Sequence, residues 1–71
     1  MKPFEVFAEH DNEAEVWVAT SDDVPGLVTE AETMELLVKR LQTLIPELME
    51  LNCGLTGDFT FRVIVEETAL A

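Results

Sequence analysis

Three glutamates on segments that read as strands, Glu5, Glu9 and Glu66, are the side chains best placed to do chemistry in this sequence. Carboxylates on neighbouring strands can hold a pair of divalent cations, which activate water and stabilise the leaving oxygen in hydrolysis. Fifteen acidic residues crowd a chain of 71, however, so some carboxylates align through composition alone. No catalytic residue and no metal ligand is assigned on this basis. His10, the sole histidine, stands beside a turn with no cysteine or second histidine nearby, the setting of a surface residue. Cys53 has neither a histidine nor a lysine neighbour in sequence to activate it as a nucleophile. Asp22 and Asp23 form an acidic turn able to meet a basic partner.

The elements that position these residues follow from periodicity. From Pro3 to His10 the chain alternates, with Phe4, Val6 and Ala8 on one side and Glu5, Phe7 and Glu9 on the other, as in a half-buried strand. Asp11-Asn12-Glu13 suits a hairpin turn. A second strand is expected from Ala14 to Ser21, with Trp17 and Ala19 facing inward because the large aromatic has the most area to bury. Val16 and Val18 then join Phe7 on the outer face. Pro25-Gly26 fits the two central positions of a type II turn, and Leu27–Thr29 can pair back as a short third strand.

Thr33 is suited to cap a helix, with Glu35 complementing the dipole in its first turn. Leu37, Leu41, Leu44, Ile45 and Leu48 recur at spacings of three and four and form one apolar stripe. Glu35 and Lys39 have the spacing of a favourable helical ion pair. Pro46 lacks an N–H and predicts a kink, or a break into two short helices. Asn52-Cys53-Gly54 supplies a stop, with Gly54 or Asn52 in a left-handed conformation. Phe59 to Glu66 alternates as a last strand, and 67–71 reads as a frayed tail.

The expected fold is α+β, in the order β-β-β-α-β, with residues 1–71 forming one domain. A right-handed crossover returns the fourth strand beside the first and parallel to it. One kinked helix covers one face of a four-stranded mixed sheet. The other face has nothing to cover it, and Phe7, Val16, Val18 and Ile64 are expected to form an apolar association patch there.

Size and charge narrow the function classes. A chain this short buries only about 60% of the surface its unfolded form exposes, and its core supplies about 3–5 kcal/mol. Association is a natural supplement, and a homodimer through the outer sheet face or a sheet edge is expected. Against fifteen acids stand four basic residues, a formal net charge of −11. Phosphate backbones repel such a surface, so direct nucleic-acid binding is not expected. A basic protein suits it better. One cysteine permits no internal disulfide, no signal-peptide pattern opens the chain, and no apolar run approaches about 20 residues. The expected setting is cytoplasmic, without a membrane partner.

Trp17, the Asp23-Val24-Pro25-Gly26 turn and the capping Thr33 together resemble the N-terminal domain of HicB-type antitoxins. Leu44-Ile45-Pro46-Glu47-Leu48, continuing to Leu51-Asn52, is similar to a HicB-like subfamily of short stand-alone proteins, the DUF1902 family. The resemblance implies a partial ribonuclease-H-like fold that masks a small, basic, RNA-cleaving toxin (HicA). Ala31 replaces a glycine that the family carries before the capping threonine. Full-length HicB antitoxins carry a C-terminal DNA-binding domain, and the resemblance does not reach one. The leading expectation is a non-enzymatic interaction domain with no cofactor. The alternative is a metal-dependent nuclease-like enzyme of partial ribonuclease-H fold.

Overall fold

The computed structural model describes residues 2–65. Strand β1 spans Phe4–Asp11, β2 Val16–Thr20, β3 Val28–Ala31 and β4 Phe61–Val65, with one helix, α1, over Met34–Cys53 between β3 and β4. The sheet order is β3-β2-β1-β4. β2 runs antiparallel to both β1 and β3, while β4 lies parallel to β1, as a crossover connection requires.

Period-two alternation decides which side chains meet the helix. Val6, Ala8, Ala19 and Ala31 are buried on that face, and Trp17 is half-buried against the same cluster. The inward parity of Trp17 and Ala19 is therefore the one the strand adopts. From α1, Leu37, Leu41, Ile45 and Met49 are buried, each four residues from the last. Leu44 and Leu48 flank that stripe and are half-buried. α1 passes closer to β3 and β2 than to β1 and β4, so Phe4, Phe61 and Val63 at the far side of the face stay half-buried.

Both helix ends are closed as their residue types dictate. Thr33 is extended, and its hydroxyl accepts the Leu36 N–H at 3.1 Å. Gly54 adopts the left-handed conformation at φ 66° and returns its N–H to the Glu50 carbonyl at 3.0 Å. Between them the helix continues through Pro46 as one element. The expected break into two helices does not occur, because Ile45 and Met49 on either side are both held in the core. Asn52 is not the left-handed residue; its side chain donates to the Pro25 carbonyl at 3.0 Å and ties the helix end to the turn.

The turn before β3 contributes more to the core than a polar loop would. Leu27 N–H donates to the Val24 carbonyl at 3.2 Å around Pro25 and Gly26, and Gly26 has the φ of 81° that a type II turn needs. This geometry turns both Val24 and Leu27 inward, and both are fully or almost fully buried. β3 consequently starts at Val28, one residue later than expected, and reaches Ala31. β2 is also shorter than Ala14–Ser21, since Glu15, at φ 55°, closes the preceding turn. The regular part of β4 begins at Phe61 rather than Phe59, because the Phe59 ring leaves the ladder to stack on Phe4 with centroids 5.6 Å apart.

Candidate functional site

The face of the sheet away from α1 is built by the alternate residues of all four strands. Pairing register sets them in rows. Phe7 is opposite Thr20 on one side and Ile64 on the other, and Thr20 is opposite Val28. One row therefore reads Val28, Thr20, Phe7, Ile64 from edge to edge. The next row reads Glu30, Val18, Glu9, and Val16 beyond it is opposite Asp11. On the opposite flank of the Phe7 row, Glu5 is opposite Arg62, and their charged ends meet at 3.3 Å.

Phe7, Val16, Val18 and Ile64 thus share one face, and none of the described elements covers it. Phe7 is 41% exposed. Val16, Val18 and Ile64 are half-buried by their strand neighbours. Val28, 71% exposed, extends the patch to the β3 edge. It escaped the sequence reading because a third strand placed at Leu27–Thr29 gives Val28 no defined face. The surface is a largely apolar row bounded by the carboxylates of Glu9 and Glu30 on one side and by the Glu5–Arg62 ion pair on the other.

The acidic turn divides into two roles. Asp23 Oδ2 accepts the Glu5 N–H at 2.8 Å, while Ser21 Oγ donates to the Glu5 carbonyl at 2.6 Å. The same hydroxyl accepts the N–H groups of Asp23 and Val24 at 3.1 and 3.3 Å. Asp23 is engaged in holding the end of β1, whereas Asp22 projects as an exposed side chain. The role of Ser21 has one signal in the sequence, a hydroxyl just before an Asp-Asp turn.

The carboxylates considered for metal chemistry are kept apart. Glu5 and Glu9 are four residues from each other on one strand, about 13 Å along it, with Phe7 between them. Glu5 is also occupied by Arg62, and Glu66 lies outside the described residues. Among the described residues no group of three or more His, Cys, Asp or Glu side chains is close enough to hold a metal ion. His10 Nδ1 stands 2.7 Å from Asn12 Oδ1, and the ring meets Trp17 edge-on at 5.0 Å. Cys53 is exposed at the last turn of α1. Glu35 and Lys39 do not form the ion pair their spacing permits; Arg62–Glu5 is the ion pair found among the described residues. No helix is long and apolar enough to cross a membrane among these residues.

The fold has a counterpart in a solved structure. The crystal structure of a hypothetical protein from the extremely thermophilic bacterium Thermus thermophilus is similar at a TM-score of 0.85 and 42% sequence identity, covering 99% of this chain and 100% of that one. No curated protein matches. The model of a family described as a domain of unknown function, DUF1902, matches residues 4–70, and the chain belongs to that family.

Proposed function

We propose that this chain is a non-enzymatic protein-interaction domain that seats a small basic protein on the outer face of its sheet, as an antitoxin masks an RNA-cleaving toxin. One observation carries the reading: an uncovered row, Val28, Thr20, Phe7 and Ile64, apolar except for Thr20, runs between the carboxylates of Glu9 and Glu30 on one flank and the Glu5–Arg62 ion pair on the other. Apolar contact at the centre supplies affinity, and the acidic flank of Glu9 and Glu30 steers and orients a partner of opposite charge. The net charge of −11 extends the attraction beyond the contact itself. The likeness of the Trp17, Pro25-Gly26 and Thr33 segment to HicB antitoxins supplies the partner class, a HicA-like toxin. Masking would be steric, with the sheet lying over the cleft of the toxin.

The test is capture from native lysate with the tagged chain, followed by mass spectrometry and an RNA-cleavage assay of what is retained. The expected result is a small basic protein, released by raised salt, whose RNA cleavage stops when the chain is added in excess. Retention of no such protein, or cleavage that continues at saturation, would overturn the reading. RNA cleavage by the chain alone in magnesium or manganese would favour the nuclease instead.

A further inference from the structure

β3 closes one side of the sheet, so among the described residues one edge of Val28–Ala31 has no strand beside it. An open edge offers backbone N–H and C=O groups to another strand, and monomeric folds blunt such edges with lysine, proline or a bulge. β3, Val28-Thr29-Glu30-Ala31, is short and carries one charge, Glu30, but contains neither lysine nor proline. Where α1 passes beside this edge there are two grooves, of about 630 and 520 Å³, with Thr29, Leu36 and Arg40 in the walls of both. Val28 is 71% and Leu36 46% exposed, so apolar surface lines the edge from strand and helix alike.

Charge decides what fits there. Glu30 and Glu32 line the first groove from the strand side; Arg40 enters both grooves, and Lys39 the second, from the helix. Among the described residues neither Lys39 nor Arg40 forms an ion pair within the chain. Glu47 also lines the second groove. A uniformly basic partner would meet the two cations, and a uniformly acidic one the three glutamates. A patch carrying both signs around an apolar strip suits a two-fold contact, in which the same surface serves on both sides. The β4 edge lacks this balance, since its cation, Arg62, already meets Glu5.

We infer that two copies of the chain join edge to edge through β3, antiparallel, so that the two four-stranded sheets continue as one. The symmetry sets both α1 helices on the same face, with Leu36 and Arg40 of each lining the seam. It also merges the two outer faces into one doubled surface, leaving each free for a partner. This surface overlaps the outer-face patch at Val28, and at Val16 and Val18, which also line the first groove; Leu36 lies outside that patch, so its variant tests the dimer apart from the toxin reading.

Sedimentation equilibrium of the full chain from micromolar to millimolar concentration tests it. The expected result is a dimer that Leu36→Lys and Val28→Lys each weaken by at least about tenfold, a loss of roughly 1.4 kcal/mol. Both side chains are exposed, so the circular dichroism of the variants should stay native. Phe7→Lys, on the outer face, should remain as dimeric as the parent. A chain that stays monomeric over the whole range would overturn the inference. So would a dimer that Phe7→Lys disrupts and Leu36→Lys does not, which would place the contact on the outer face.

Discussion

The carboxylate of Asp23 takes the place of a missing strand residue for Glu5. Backbone pairing of β1 with β2 ends at Phe7 opposite Thr20, yet the Glu5 N–H and carbonyl are both satisfied, by Asp23 Oδ2 at 2.8 Å and Ser21 Oγ at 2.6 Å. Two side chains thus continue the ladder after the backbone has turned toward Pro25. This lets the turn leave the sheet early and drop Val24 into the core, without orphaning the end of β1.

Asp23→Ala should therefore destabilise the fold by about 1 kcal/mol, the net worth of an ordinary hydrogen bond. At this chain length that lowers the thermal midpoint by about 4–8 °C. Asp23→Asn keeps an acceptor oxygen and should recover most of the loss. Equal midpoints for Ala, Asn and the parent by thermal circular dichroism would show that the bond contributes nothing, and that Asp23 is free to serve a partner.

Ile45→Ala should leave little folded protein. The side chain is fully buried between the sheet and the flanking turns of α1, and an Ile→Ala change in a core costs about 2–5 kcal/mol. A domain this small has about that much stability in total. Urea unfolding should show a native baseline shortened or lost, whereas Leu51→Ala, at an exposed position of the same helix, should retain a full transition.

The core divides into positions legible in the sequence and positions that are not. Alternation in β1 and β2 gave the buried set Val6, Ala8 and Ala19, because each strand has only two faces and one must meet the helix. Thr33 was legible as a cap, because its hydroxyl acts on a residue three positions away. Val24 and Leu27 were not, since the inward path of an Asp-Asp-Val-Pro-Gly-Leu turn depends on Ser21 and Asp23 gripping a strand 16 to 18 residues away. Met49 lies beyond the stripe that spacings of three and four pick out, because the buried residues of the helix follow steps of four across the sheet. Of the candidate face, Phe7, Val16, Val18 and Ile64 were read from parity alone, while Val28 and the carboxylate rows needed the register.

Pro46→Ala should stabilise the domain. Proline in a helix interior is about 3 kcal/mol less favourable than alanine, and α1 continues through this position as one element. Pro46 is half-buried, so lost packing offsets part of the gain, and a net increase of about 1–2 kcal/mol is expected. Urea denaturation checks it. A decrease would mean that the proline ring fills space against the core whose loss outweighs the restored hydrogen bond.

Gly26→Ala should destabilise by about 1–2 kcal/mol through backbone conformation alone. The added Cβ would lie 3.5 Å from Asn52 Nδ2, an ordinary contact, whereas φ of 81° is one that alanine avoids. Asn52→Ala removes only the bond to the Pro25 carbonyl and should cost less than Gly26→Ala. The reverse order of midpoints would show that the helix-to-turn tie, and not the turn conformation, fixes this corner.

Val18→Lys separates binding from folding most cleanly. Val18 is directly opposite Glu9 on one side and Glu30 on the other. A lysine there gains two opposite charges across the strands, each pair worth about 0.2–1 kcal/mol. The stem of the side chain can still cover the sheet while the ammonium reaches water. Stability should hold or rise slightly, whereas Val18→Glu would align three carboxylates and should lower it. On the proposed docking face the lysine neutralises the acidic row and confronts a basic partner with like charge, so capture of that partner should fall by at least about tenfold. If Val18→Lys keeps both its thermal midpoint and its full affinity, the outer face is not where the partner sits.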